Sequence, residues 1–332
     1  MELLARETVG RWLEERGLVE PGTRVQATEL EWGVSNVVLA VEAGALRAVV
    51  KQALPRLRVE DEWLAKRERS LTEARALELA ARLAPGSAPA VLAVDEERCA
   101  FAIARAPAGW RNWKEILLGG EIAGDVGERL GALLATIHAE TSHDEALLAS
   151  FDDAEAFAQL RVDPYHRTVM RRWPRLERPI GMVVEEMLDR RLCLVHGDFS
   201  PKNVLVGGDR GLWLIDFEVA HAGDPAFDLG FMLNHLMLKA IHRPAAFERY
   251  EHAAASFWES YRARVSGRLA PDPVYVALHT GCLMLSRVDG KSPAEYLTEG
   301  GRLLARSLAT RILLEPPGTV EEAWDALGAA LR

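Results

Sequence analysis

The stretch from residue 196 to 228, HGDFSPKNVLVGGDRGLWLIDFEVAHAGDPAFD, limits what this chain can fold into more than any other. Asp198 and Asn203 stand five residues apart in an HGD-x-x-x-x-N pattern. Gly207-Gly208-Asp209 then marks a tight turn between two short apolar runs, which read as paired strands. The second run, in LIDFE, places Asp216 just past a strand end. Two carboxylates and an amide at the ends of paired strands can converge. Asp198 suits acceptance of a proton from a hydroxyl. Asn203 and Asp216 offer hard oxygens of the kind Mg²⁺ prefers, and such an ion bridges nucleotide phosphates in phosphoryl transfer.

The rest of the chain divides by texture. With 332 residues, two domains or lobes are expected. Residues 1–20 hold an amphipathic helix (Leu3, Leu4, Val9, Trp12, Leu13) stopped by Glu20-Pro21-Gly22. RVQATEL, SNVVLAVEA and LRAVVKQAL are β-branched and read as strands, the last two joined at Gly44. LTEARALELAARLA reads as a helix, and VLAVDEERCAFAIARA as two strands around an Asp-Glu-Glu turn. Beyond residues 105–109 the periodicity is mainly helical, interrupted only by the short runs of residues 192–219. The boundary therefore separates an α+β lobe, 1–106, from a mainly helical lobe, 107–332. No repeat and no low-complexity tract is present.

The ordered set HGD-x4-N, I-D-F-E and GDP-x-x-DLG resembles the catalytic segment of the aminoglycoside phosphotransferase and choline kinase superfamily. The resemblance covers roughly residues 24–310 and implies a bilobal protein-kinase-like α+β fold, with a small antiparallel sheet plus helix before a helical lobe. It implies that Asp198 is the catalytic base, that Asn203 and Asp216 bind magnesium, and that Asp228 braces the catalytic loop. His196 is read as bracing that loop too. Asp224, before Pro225, is read as a turn residue. Residues i and i+2 of an extended chain point the same way. Glu218 can therefore join Asp216 at the metal, and the D-x-E arrangement resembles 5-methylthioribose kinases. A solvated glutamate is the competing reading.

The nucleotide half is expected upstream. Lysines number only six (Lys51, Lys66, Lys114, Lys202, Lys239, Lys291). Lys51 ends the apolar strand AVVKQA, where an ammonium is costly unless paired. It matches the family lysine that contacts the ATP phosphates, with Glu73 as its expected partner and Glu78 as the runner-up. Gly33, Ser35 and Asn36 fit a G-x-S-N phosphate loop whose backbone N–H groups cradle phosphate. The single glycine departs from a glycine-rich loop. The segment around Arg105, Ala106 and Pro107 resembles the hinge that meets adenine.

The implied reaction is ATP- and Mg-dependent phosphorylation of a small-molecule hydroxyl. The acceptor leans to a small sugar-like metabolite, since RNWKEILLGGE resembles methylthioribose-kinase-like sequences. An aminoglycoside or other antibiotic, or a choline, ethanolamine or homoserine-type acceptor, is the alternative. Acceptor residues are expected within about 232–300, where Arg287 and Lys291 suit an anionic or polyhydroxylated partner. Trp258 and Tyr261 are the candidates for a choline cage, or else core. A nucleotide-binding pseudokinase should lack the base, a metal ligand or the strand lysine, and none is missing. A cysteine hydrolase built on Cys193 and His196 is disfavoured by the apolar setting LCLV.

Composition excludes other classes. Lys and Arg total 40 against 49 Asp and Glu, a net charge of -9, which is no footprint for nucleic acid. The charged N-terminus lacks a signal-peptide core, and no apolar run reaches the length of a membrane helix. The three cysteines, Cys99, Cys193 and Cys282, form no metal or disulfide framework. A cytoplasmic monomer or homodimer is expected, with no nucleic-acid or membrane partner.

Overall fold

The computed structural model describes residues 3–30, 35–57, 65–122, 124–208 and 211–332. Gly33 of the expected phosphate loop lies outside the described residues. Backbone contacts divide the chain into two compact units, residues 1–110 with 205–219, and residues 111–204 with 220–332. The expected lobe boundary at 106/107 falls four residues before the division after Trp110, and the stretch 205–219 belongs with the first unit. The reason is local, since the Leu214 N–H donates to the Ser87 carbonyl at 2.7 Å and Trp213 packs on Trp110 at 5.1 Å.

The first unit is built on an antiparallel sheet. Its strands are β1 (Gln26–Glu29), β2 (Asn36–Ala43), β3 (Leu46–Ala53), β4 (Val91–Asp95) and β5 (Ala100–Ala104), in the order β1-β2-β3-β5-β4. Gly44, at φ +59°, makes the β2–β3 turn in a left-handed conformation that glycine adopts without strain. Strand periodicity sorts the two faces. Val37, Leu39, Val41, Ala48, Val50, Ala100 and Ala102 form one core with Val9, Trp12 and Leu13 of α1 (Val9–Glu15). Burial of a side chain such as Leu13 or Leu39 contributes about 2 kcal/mol. The Trp12 indole N–H donates to Asp95 at 2.9 Å, so its polar edge is satisfied as well. Lys51 sits between Val38 and Phe101 in the register and so projects from the opposite face, toward α2 (Arg69–Leu83).

The second unit is helical. Helix α3 (Trp113–Gly119) is capped by Asn112, whose side chain accepts the Lys114 N–H at 3.0 Å. Helix α4 (Gly124–Thr141) crosses the helix Phe247–Arg262 very closely, because a methyl at Gly127 or Gly131 would collide with the carbonyl of Ala253 or Phe257. Residues Ala158–Arg167 form a widened, π-helical stretch with Pro164 inside it; proline lacks the N–H that a regular turn needs there. The helix Pro225–His242 is buried all round. Among the described residues, no helix is long and apolar enough to cross a membrane.

His166 and His279 pack against Phe227 of that buried helix at 6.2 Å and 6.3 Å. Burial pushes His166 down to about 4, against a weaker upward pull from the Arg161 backbone. The unfolded chain binds this proton below about 6.5 and the folded chain only below about 4, so stability falls as pH drops across that window. The cost from His166 approaches about 3 kcal/mol at pH 4. Urea midpoints measured from pH 7 to 4 should show this slope, and His166→Leu should flatten it.

Candidate active site

The sequence-predicted residues fall into two clusters, one in each unit. In the first unit Lys51 donates to Glu73 of α2 at 2.6 Å and to Asp216 at 2.7 Å. Glu78 is exposed on the other side of α2, because five residues along a helix do not return to the same face. Burial works against the Lys51 charge, but the carboxylates of Asp216, Glu73 and Glu218 outweigh it and hold the ammonium well above its ordinary range. Burial pushes Glu73 upward, opposed by Lys51. Lys51 also stands 5.9 Å from the Phe101 ring centroid.

Asp216 lies just past the strand Leu212–Leu214 with φ +71°, a left-handed backbone that few non-glycine residues adopt. The extended geometry that put Asp216 and Glu218 on one face therefore does not hold. The Glu218 carboxylate accepts from Ser35 Oγ at 3.0 Å, Asn36 Nδ2 at 3.0 Å and Arg69 Nε at 3.1 Å. Both of its oxygens are engaged, and it is buried rather than solvated. This corrects the reading of Glu218 as a metal ligand: it ties the start of β2 to α2. Arg69, fully buried, completes the tie through the carbonyls of Ser35, Leu54, Ala65 and Lys66.

At the expected hinge, the Arg105 N–H donates to the Arg47 carbonyl at 3.1 Å and its side chain pairs with Glu42 at 2.8 Å. Pro107 accepts the Trp110 N–H at 3.2 Å. Ala106, half-buried between them, follows the end of β5 with no regular structure.

In the second unit the loop after the strand Cys193–Val195 carries the HGD motif. Its backbone hangs on Asp228, whose carboxylate accepts the His196 N–H at 2.7 Å and the Gly197 N–H at 2.9 Å. His138 Nε2 stands 3.4 Å from the same carboxylate, and its Nδ1 meets Tyr261 Oη at 2.9 Å. Gly197 turns at φ +75°, which a side chain would strain. His196 Nδ1 then accepts the Asp198 N–H at 3.1 Å. The Asp198 carboxylate is 1% exposed and pairs with Arg161 and Lys202, each at 2.7 Å. Asn203 gives its amide N–H to the Asp198 carbonyl at 2.9 Å, so its amide oxygen remains the group available to a cation. An amide oxygen from Asn203 and a carboxylate oxygen from Asp216 are donors suited to a hard divalent ion.

Asp228→Asn should loosen this loop, since one amide oxygen replaces a carboxylate accepting two buried N–H groups. The expected cost is about 2 kcal/mol in unfolding free energy, with a fall in kcat larger than any change in nucleotide binding; urea denaturation and steady-state kinetics check the two parts.

Other sequence candidates find structural roles. Asp224 caps the helix Pro225–His242 by accepting the Ala226 N–H at 2.9 Å. Tyr261 is fully buried against His138 and Trp258 is 4% exposed, so neither stands in an open aromatic cage. Burial holds the Cys193 thiol protonated, well above its ordinary value, which removes the thiolate a cysteine hydrolase requires. Arg287 donates to Ser292 at 2.6 Å, and the Lys291 N–H donates to the Pro164 carbonyl at 3.1 Å with the side chain exposed.

Two residues escaped the sequence reading. Arg161 pairs with Asp198 across 37 positions and donates Nε to the Gly197 carbonyl at 3.2 Å. Arg69 begins α2 inside a charged stretch. Nothing local distinguishes either from the other arginines.

A buried lysine-glutamate pair, a strand-end aspartate and an HGD loop braced by a helix aspartate define a small-molecule phosphotransferase of protein-kinase-like fold. The chain belongs to the phosphotransferase enzyme family, whose model matches residues 26–268. It is 26% identical over 313 residues to a methylthioribose kinase of Pectobacterium carotovorum, covering 82% of this chain and 78% of that one. A methylthioribose kinase of Bacillus thuringiensis is 24% identical over 271 residues, covering 72% and 67%. Among solved structures, the fold matches an amicoumacin kinase in complex with AMP-PNP and Ca²⁺ (TM-score 0.55, 12% identity, 96% and 98% coverage). It also matches the choline kinase LicA of Streptococcus pneumoniae (TM-score 0.53, 14% identity, 93% and 98% coverage).

Proposed function

We propose that this enzyme transfers the γ-phosphoryl group of ATP to a hydroxyl of a small sugar-like metabolite. The observation that carries the reading is Lys51, a buried ammonium held between Glu73 and Asp216 at 2.6 and 2.7 Å. A buried lysine kept charged by carboxylates at a strand end is suited to the phosphates of a nucleotide. Glu73 positions it. Ser35 and Asn36, tied down by Glu218 at the start of β2, are the proposed phosphate-loop residues, and Arg105 to Pro107 offer backbone to the adenine edge. Asn203 and Asp216 are the proposed magnesium ligands; a bound divalent ion supplies charge neutralisation at the phosphates.

Asp198 accepts the proton of the acceptor hydroxyl as that oxygen attacks phosphorus. Arg161 and Lys202 fix the carboxylate in place, which removes the freedom it would otherwise lose on reaching the transition state. The methylthioribose kinases among the relatives support a pentose-like acceptor over an antibiotic.

The test is ADP release with ATP and Mg²⁺ against methylthioribose and other pentoses, sugar acids and sugar monophosphates, aminoglycosides, macrolides, choline, ethanolamine and homoserine. One sugar-like compound should stimulate release, and the Asp198→Asn protein should not respond. Stimulation by an antibiotic or choline alone would overturn the sugar-like acceptor. Silence across the panel, with ATP binding confirmed by thermal shift, would turn the reading toward a pseudokinase.

A further inference from the structure

The second unit gathers basic side chains and buried polar atoms without partners beside the HGD loop. Lys239 lies in the buried helix Pro225–His242 and is 1% exposed. Its ammonium donates to the His235 carbonyl at 3.3 Å and stands 5.6 Å from the Tyr296 ring centroid. Among the described residues no carboxylate pairs with it. His235, four residues earlier and so on the same helical face, is buried with Nδ1 unpartnered. Arg287 spends one N–H on Ser292, while its Nε is buried without a partner, as is the Tyr296 hydroxyl.

The remaining cations are close enough to act on one another. Burial, then Arg287 and Lys202, hold Lys114 below its ordinary value, with Glu295 and Glu115 pulling the other way. Burial, then Lys114 and Arg287, do the same to Lys239. Of the carboxylates here, Asp198 is already shared between Arg161 and Lys202. Burying cations that face each other is unfavourable without a compensating anion. The arrangement leaves the buried Arg287 Nε and Tyr296 hydroxyl, beside these basic side chains, without an acceptor from the chain.

We infer that the acceptor is anionic, and that its carboxylate or phosphate docks on Arg287 and Lys114 above Lys239 and His235 while its hydroxyl faces Asp198. The inference rests on the kinase reading and narrows it, since methylthioribose is neutral and a sugar acid or sugar phosphate is not. Arg287 offers the planar fork that matches either anion. Lys114 and Lys202 add point charges on the side of Asp198.

Two measurements test it independently of one another. Inorganic phosphate and malonate are titrated into the protein at constant ionic strength, with Lys51→Met as a control for nucleotide-side anion binding. Arg287→Gln and Lys114→Gln should each weaken binding about tenfold, or about 1.4 kcal/mol, in the wild-type and in the Lys51→Met background alike. Acceptors are then compared as neutral sugar, corresponding sugar acid and sugar monophosphate. One anionic form should be preferred, and Arg287→Gln should raise its KM with kcat nearly unchanged; the preferred form says which anion is bound. Phosphate affinity unmoved by Arg287→Gln would overturn the inference, as would a neutral acceptor preferred over both anions with a KM indifferent to that change. Phosphate binding that depends on Arg287, with no ADP release from any acceptor, would retain the anion site and sink the kinase reading instead.

Discussion

Asp198→Asn is expected to lower kcat by about 10²–10⁴-fold, the range that a positioned general base supplies. The amide keeps the shape of the side chain but cannot accept the hydroxyl proton. Two further measurements separate base loss from loop collapse. The Asp198 backbone remains held by His196 Nδ1 and by Asn203, at 3.1 and 2.9 Å, so the variant should still fold, with a thermal midpoint lowered by the loss of the charge that pairs the buried Arg161. ATP affinity should stay within about twofold, because the lysine and strand-end aspartate proposed for the nucleotide belong to the other unit. Turnover left intact in a folded Asp198→Asn protein would remove Asp198 as the base.

Lys51→Met should produce the second largest effect, a fall of about 10–100-fold in kcat/KM for ATP, since charged hydrogen bonds contribute about 1.5–3 kcal/mol each. It should also cost stability. Glu73 is 1% exposed and would lose its partner, and orphaning one member of a buried pair costs about 3 kcal/mol. The sign with pH is determined by burial, which already pushes the Glu73 carboxyl upward. Without Lys51 the folded chain holds that proton to still higher pH than the unfolded chain does. The variant's own stability should therefore be highest near pH 5 and fall as pH rises toward 8, with the gap to the wild-type protein widening above that. Lys51→Met/Glu73→Gln should recover most of the stability and none of the ATP binding. A double variant as unstable as the single one would show that the loss came from somewhere other than the Glu73 charge.

Much of the architecture was legible because it rests on local rules. The β-branched residues of SNVVLAVEA and LRAVVKQA form the paired strands β2 and β3, and Gly44 supplies the turn between them. LTEARALEL sits in α2 and GDVGERLGALLATIHAET forms α4 throughout. The Lys51–Glu73 pair was readable for the same kind of reason: an ammonium on an apolar strand needs a carboxylate, and the next helix offered few. The choice of Glu73 over Glu78 was a matter of helical phase. Glu218 shows the limit of such rules. Period 2 put it beside Asp216, but the left-handed backbone at Asp216 breaks the period, and three donors from distant positions claim the carboxylate.

The sequence by itself determined the reaction class, because the residue types and spacing in 196–228 are held by short backbone connections that any fold must respect. It also determined most of the strands and helices. Only the tertiary structure decided which charges meet. Arg161 reaches Asp198, Arg69 reaches Glu218, and Lys239, Arg287 and Lys114 influence one another, though each pair is separated by tens of residues or more. The physical reason is that periodicity records which face of an element is apolar, whereas an ion pair depends on which two faces are packed together. For the same reason the charge beside Asp198, and with it the chemistry of the acceptor, is a property of the packed helices and of no motif.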